Sequence, residues 1–155
     1  LIHDIGKLAV FMTRPEEYLK IQDQKDASGY LSTRKIELKQ LGIDHCEIGF
    51  QLLTRWMFPE QLIEVVAFHH HPEKCTNSVL YTTIIQISDL LSILVVNEEE
   101  QDAELYPQFT TLLPGGKILW QEQKLSINEE KLQEWRLALL ASIEKDSAIL
   151  NIFTS

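Results

Sequence analysis

Five histidines, His3, His45, His69, His70 and His71, fall in the first half of the chain, and none follows His71. His3 is joined to Asp4, with Lys7 one helical turn on, in the run His3-Asp4-Ile5-Gly6-Lys7. An imidazole nitrogen and a carboxylate oxygen together suit a borderline divalent metal such as iron, manganese, nickel or zinc. Neighbours on a helix diverge by about 100°, so this pair would share an ion only at the edge of a pocket. A His-Asp hydrogen bond near a helix end is the plainer role, and the dipeptide alone points to it. His69 and His70 lie seven and eight positions after Leu62, which turns them toward a core, although imidazoles at a helix C-terminus also complement its dipole. His71, before Pro72, is expected outside. His45, beside Asp44, is open to either solvent or a site, and solvent is favoured. Asp89 has Ile85, Leu90, Leu91, Ile93 and Val96 around it. A carboxylate buried there is costly without a cation or donors, so metal ligation and a bond to Ser88, Ser92 or another helix stand about even.

Helices must position these groups, because strand alternation is nearly absent. Thr13-Arg14-Pro15-Glu16 carries a cap, a first-turn proline and a capping-box Glu, and predicts a helix through about Lys25. Ser32 is expected to cap a second, stopped by Gly42. Asp44-His45-Cys46-Glu47 opens a third, with Ile48, Leu52, Leu53 and Trp56 at helical spacing. Pro59 starts a fourth, with Leu62, Val65, Val66 and His69 on one face, closed by the histidines before Pro72. Residues 79–96 form a fifth, whose polar members Thr82, Thr83, Gln86, Ser88, Asp89 and Ser92 make it a buried helix and not a membrane span. Ser126-Ile127-Asn128-Glu129 opens a last long helix striped by Leu132, Trp135, Leu139 and Ile143. Between them, Glu98-Glu99-Glu100 and Pro114-Gly115-Gly116 suggest loops with short helical pieces. The fold class is all-α, with a helical core at 1–96 and a helical extension at 97–155 packing on the same domain.

The whole chain has 155 residues, 45% hydrophobic and 24% charged, with 14 Lys plus Arg against 23 Asp plus Glu, a net −9. This balance supports a buried core and argues against a coat for nucleic acid or anionic membrane, which needs clustered cations. Cys46 and Cys75 are neither a disulfide framework nor a Cys-x-x-Cys knuckle, and a reducing cytoplasm is the natural compartment. The opening Leu1-Ile2-His3-Asp4 carries no signal peptide and reads as the middle of an element, so a preceding portion is expected.

Order turns these pieces into a pattern. A His-Asp pair, a later His, a His-His pair and an Asp in an apolar helix together resemble the HD superfamily of metal-dependent phosphohydrolases. Within it the chain is most similar to the HDOD family of bacterial signalling domains. The likeness is carried by Leu1-Ile2-His3-Asp4-Ile5-Gly6-Lys7-Leu8, and by Glu37 followed by Leu41-Gly42-Ile43-Asp44-His45-Cys46-Glu47-Ile48-Gly49. It continues through Leu53-Thr54-Arg55-Trp56 with Pro59, Phe68-His69-His70-His71-Pro72-Glu73 and Ile87-Ser88-Asp89-Leu90-Leu91, and loosely through Trp120 and the final helix. The resemblance implies a helical bundle in which His3, Asp4 and Asp89 ligate a core metal. His45, His69 and His70 match the positions that hold a second metal in two-metal relatives, and Lys7 a residue near substrate phosphate. Asp4 and Lys7 are the candidate catalytic groups, and the cofactor is one or two ions of Fe, Mn, Ni or Zn. HD enzymes also draw a His from a helix before the His-Asp pair, which the chain begins too late to show. Ala27-Ser28-Gly29-Tyr30 lies in the wrong place for a Gly-Tyr-Pro signature, so cyclic dinucleotide hydrolysis is not expected.

Two functions follow from the resemblance. The first is a regulatory module that reads or transmits state beside other signalling domains. The second is a phosphohydrolase acting on a small phosphoester or nucleotide. A structural adaptor ranks last, because it gives no reason to bury Asp89 and turn His69 inward together.

Overall fold

The computed structural model describes residues 2–28, 33–96 and 104–154 of the chain. Its elements in chain order are a 3-10 turn at Ile2–Asp4, α1 (Ile5–Thr13), α2 (Pro15–Ser28), α3 (Thr33–Leu41), α4 (His45–Arg55), α5 (Glu60–Phe68), a second 3-10 turn at Pro72–Lys74, α6 (Val79–Val96), α7 (Leu105–Leu112), α8 (Gly116–Glu122) and α9 (Glu129–Thr154). No strand occurs among the described residues, so the all-α class stands. None of these helices is long and apolar enough to cross a membrane. The Ser32 cap and the Glu98-Glu99-Glu100 run lie outside the described residues.

The chain divides into two compact units, residues 1–87 and 88–155, the division falling within α6. In the first, α1 packs on α2 and α4, α2 on α3, and α4 on α5. Leu53 and Val66 are fully buried there, with Val10, Ile21 and Val65 close to it. Each aliphatic side chain removed fully from water contributes about 1.5–3 kcal/mol. The crossing of α1 with α4 is a backbone contact. A methyl group on Gly6 would lie 2.0 Å from the His45 carbonyl oxygen, and one on Gly49 2.5 Å from Val66 Cγ1. Two small residues thus bring the start of α1 against the start of α4, where His45 stands.

Helix boundaries follow local chemistry, with three departures from the sequence reading. Asp44 caps α4 as expected, accepting from the Glu47 N–H at 2.9 Å, and Gly42 after α3 has a φ of 73°, the left-handed stop a Cβ would disfavour. Thr13, however, ends α1 and donates its hydroxyl to the Ala9 carbonyl at 2.7 Å, so it belongs to the helix before Pro15. Helix α5 ends at Phe68, before the histidines, with His69 as its C-cap. Leu62, assigned to its inward face, is 38% exposed. At α9 the cap is Asn128, whose Oδ1 accepts from the Lys131 N–H at 2.9 Å, in place of Ser126.

In the second unit α7 packs on α9, around buried Phe109, Trp120 and Leu132. The α9 stripe fades along its length, from fully buried Leu132 to Ile143 at 41% exposure. Glu129, the first residue of α9, accepts from the N–H groups of Leu105 at 3.1 Å and Tyr106 at 2.7 Å. It thereby satisfies donors that the first turn of α7 leaves without helical partners. Burial alone would raise its pKa, but these bonds and one from Gln133 outweigh it and hold the carboxyl below the usual range.

Candidate metal centre

Four donor atoms from three places in the first unit face one another. Asp4 ends the opening 3-10 turn, His45 begins α4, and His69 and His70 form the turn after α5. His45 Nε2 lies 3.4 Å from His69 Nε2, 3.2 Å from His70 Nε2 and 3.4 Å from Asp4 Oδ1. Asp4 Oδ1 is 3.7 Å from His69 Nε2. His45 and His69 are buried to 1% and 0% exposure, which corrects the solvent-facing preference for His45.

The early end of α5 explains how adjacent histidines converge. Within a helix His69 and His70 would splay by about 100°; in the turn their ring centroids are 4.2 Å apart. Backbone contacts hold that turn. The His71 N–H donates to the Phe68 carbonyl at 2.7 Å, and Gln86 Nε2 of α6 donates to the His70 carbonyl at 3.2 Å.

Tautomers decide what this cluster can bind. His69 Nδ1 lies 2.9 Å from the Val66 carbonyl, which can only accept, so Nδ1 carries the hydrogen and Nε2 the lone pair. Burial, followed by the neighbouring His45 and His3, pushes the His69 pKa down to about 4, so the ring is neutral near pH 7. His45 Nδ1 lies 2.6 Å from Glu37 Oε2, leaving its Nε2 facing the cluster. Asp4 Oδ1 is buried and has no hydrogen-bond partner. Its imidazole separations of 3.4 and 3.7 Å exceed the roughly 2.7–2.9 Å of a charge-assisted hydrogen bond. Ligands bound at about 2.0–2.2 Å to one ion stand about 3–3.5 Å apart, close to these spacings. Three imidazole nitrogens and a carboxylate oxygen at these spacings therefore fit a divalent transition metal.

The remaining sequence-proposed residues occupy varied places. His3 Nε2 is 3.6 Å from Asp4 Oδ2, and its ring sits edge-on to His69 with centroids 4.9 Å apart. With Asp4 and His69 it forms one donor group that could hold an ion, and His45, Cys46, His69 and His70 form another that overlaps it at His69. Lys7 Nζ donates to Asp4 Oδ2 at 2.7 Å, so the two carboxylate oxygens have separate duties. Burial alone would raise the Asp4 pKa, but Lys7, then His45 and His3, outweigh it and hold the carboxyl below its usual range. His71 faces outward, 2.9 Å from Glu73. Asp89 lies on α6 beyond the first unit and is half-buried, less enclosed than its apolar neighbours suggested; the convergence is made by residues of the first unit.

Cys46 and Glu37 were not among the sequence candidates. Cys46 Sγ is 4.0 Å from His69 Nδ1, the nitrogen already committed to Val66 and turned away from the cluster. Burial, helped by Asp44, pushes its thiol up to about 12, which fits a packed core residue. Glu37, 4% exposed, accepts from both the main-chain N–H of His45 at 3.0 Å and its Nδ1. Its only sequence signal was membership of the Glu37 to Gly49 segment. One turn earlier on α3, Arg34 Nε donates to Asp44 at 2.8 Å. Burial would raise the Asp44 pKa, but the Glu47 N–H and Arg34 together hold it low.

Comparison with known proteins agrees with the motif resemblance. The HDOD domain family model matches residues 1–72, ending before α6. An uncharacterized protein of Treponema pallidum is 28% identical over 71 residues, 46% of this chain and 14% of that protein. Ribonuclease Y of Deinococcus radiodurans is 26% identical over 109 residues, 63% of this chain and 19% of the enzyme, and the Thermus thermophilus counterpart matches equally. The crystal structure of a candidate phosphohydrolase from Shewanella amazonensis shares the fold with a TM-score of 0.54 at 21% identity, covering 89% of this chain and 47% of that one. The chain thus spans less than half the length of each of these relatives. The likeness to that crystal structure is one of fold, an all-helical one.

Proposed function

We propose that this chain is an HDOD-type regulatory domain of a bacterial signalling protein and that it retains a divalent transition-metal centre. The observation that carries this reading is the meeting of His45 Nε2 with Asp4 Oδ1 and with the Nε2 atoms of His69 and His70 at 3.2–3.4 Å. In this reading these four hold the ion and His3 supports Asp4. The HDOD match at residues 1–72 supports the regulatory role. Other signalling domains are its partners in a longer cytoplasmic protein, with residues 1–96 as the HD-like core and 97–155 as its extension. The free thiols of Cys46 and Cys75 suit that compartment.

A phosphohydrolase is the second reading, favoured by the same donor set. A bound ion would supply Lewis acidity and a bound water of lowered pKa. Asp4 would orient that centre through Oδ1 while Oδ2 holds Lys7, whose ammonium would turn to a substrate phosphate. Small phosphoesters or nucleotides are the substrates that chemistry suits.

One experiment separates the two. Protein purified without chelator is analysed for Fe, Mn, Ni and Zn, then assayed against phosphomonoesters, phosphodiesters and nucleotides. The regulatory reading expects bound metal, lost in His69→Ala, and no metal-dependent turnover. Turnover abolished by His3→Ala and Asp4→Ala would establish the enzyme instead, and absence of metal in protein challenged with all four ions would remove the centre.

A further inference from the structure

Glu37 lies on α3, a helix that supplies none of the four converging donors, yet its carboxylate is 4% exposed. Burying such a group costs several kcal/mol unless its charge is compensated. Here one oxygen, Oε2, takes both compensating bonds from the same residue, the His45 main-chain N–H at 3.0 Å and the His45 ring at 2.6 Å. Capping α4 needs only the first, since the His45 N–H is one of the donors its opening turn leaves over. The second does something a cap does not: it fixes which ring nitrogen carries hydrogen and in which plane the ring lies.

We infer that Glu37 is the positioning residue of the centre, holding His45 in the Nδ1–H tautomer with Nε2 aimed at the ion. This rests on the metal reading above. The pair is reinforced by its surroundings. Arg34, three residues before Glu37, holds Asp44, the residue before His45, so two consecutive residues at the start of α4 are gripped by two residues one turn apart on α3. His69 achieves the same tautomer from a main-chain carbonyl. His45 draws it instead from an anionic side chain, which also makes the ring a more electron-rich donor.

The test uses the full chain and cobalt(II) as probe. Wild-type protein and Glu37→Gln are titrated with the ion against a chromophoric chelator, and visible ligand-field spectra are recorded. Glutamine preserves size and hydrogen bonding but loses the charge and can rotate its NH2 toward Nδ1, imposing the wrong tautomer. The expected result is an affinity loss of about 10–100-fold with a changed spectrum. Equal affinity and an unchanged spectrum would overturn the inference while leaving the metal reading intact. Absence of cobalt binding by wild-type protein would overturn both. Should Glu37→Gln fail to fold, imidazole 15N spectra of wild-type protein decide the matter. Hydrogen on Nδ1 of His45 supports the role, and hydrogen on Nε2 in the metal-loaded state overturns it.

Discussion

Asp4 is where the chemistry of the site concentrates in one side chain. Its Oδ2 is bonded to Lys7 at 2.7 Å, whereas buried Oδ1 has no hydrogen-bond partner and faces two imidazole nitrogens. Were the carboxylate mainly a structural counter-ion, neutralising it would cost the roughly 3–5 kcal/mol of a broken buried pair. The side chain is 28% exposed and Lys7 20%, however, and pairs that water reaches contribute about 0–1 kcal/mol. Asp4→Asn should therefore change metal-free stability, measured by urea unfolding, by about 1 kcal/mol or less. Metal affinity should fall at least tenfold, by the loss of a charged donor. A large stability loss with unchanged affinity would make Asp4 structural. That His3, Asp4, His45, His69 and His70 belong near one another was legible from motif order. The burial of His45 was not legible from the residue by itself, because its environment depends on Glu37, eight positions earlier on another helix, and no periodicity links the two.

At the scale of elements, the centre depends on how closely α1 approaches α4. A methyl on Gly6 would meet not only the His45 carbonyl oxygen at 2.0 Å but its carbonyl carbon at 2.8 Å and Cα at 2.9 Å. All three are backbone atoms, so nothing can rotate aside and the helices must separate. Overpacking typically costs about 1–3 kcal/mol and sometimes more. The displaced group would be His45 itself, so Gly6→Ala should lower both the unfolding midpoint and the metal affinity. Gly42→Ala is the informative comparison. A methyl there meets nothing within 4 Å but sits at a φ of 73°, so it should cost about 1–2 kcal/mol of stability and leave metal affinity alone. Equal effects on affinity would mean that general loosening, and not the α1–α4 crossing, governs the site. Most helices were readable because their signals are local: the Asp44 cap, the Gly42 stop, and the polar interruptions of residues 79–96. The end of α5 was misplaced because Pro72 is a strong local stop signal, while the actual break answers to tertiary demands. Gln86 on α6 holds the His70 carbonyl, and off the helix the two adjacent rings come to 4.2 Å between centroids.

For the molecule as a whole, net charge and specific site make opposite claims on a cation. With 23 acidic against 14 basic residues, the surface attracts divalent ions diffusely, and such attraction is screened within about 10 Å at 0.1 M salt. The converging donors would bind differently, because residues 4, 45, 69 and 70 meet only in the folded chain. A ligand that recognises only the native state stabilises it by about 2.7 kcal/mol at a hundred times its dissociation constant. At about 2–4 °C per kcal/mol for a chain of this size, manganese(II) or cobalt(II) at that excess should raise the unfolding midpoint by about 5–10 °C. The gain should persist at 0.5 M salt, vanish on adding chelator, and be absent in His69→Ala. Calorimetric scans under these four conditions separate the two sources of binding. A rise that His69→Ala retains and salt removes would belong to the acidic surface. A rise that salt leaves and the single substitution abolishes belongs to the centre, since the loss of one neutral imidazole leaves the net charge at −9 and takes away a ligand.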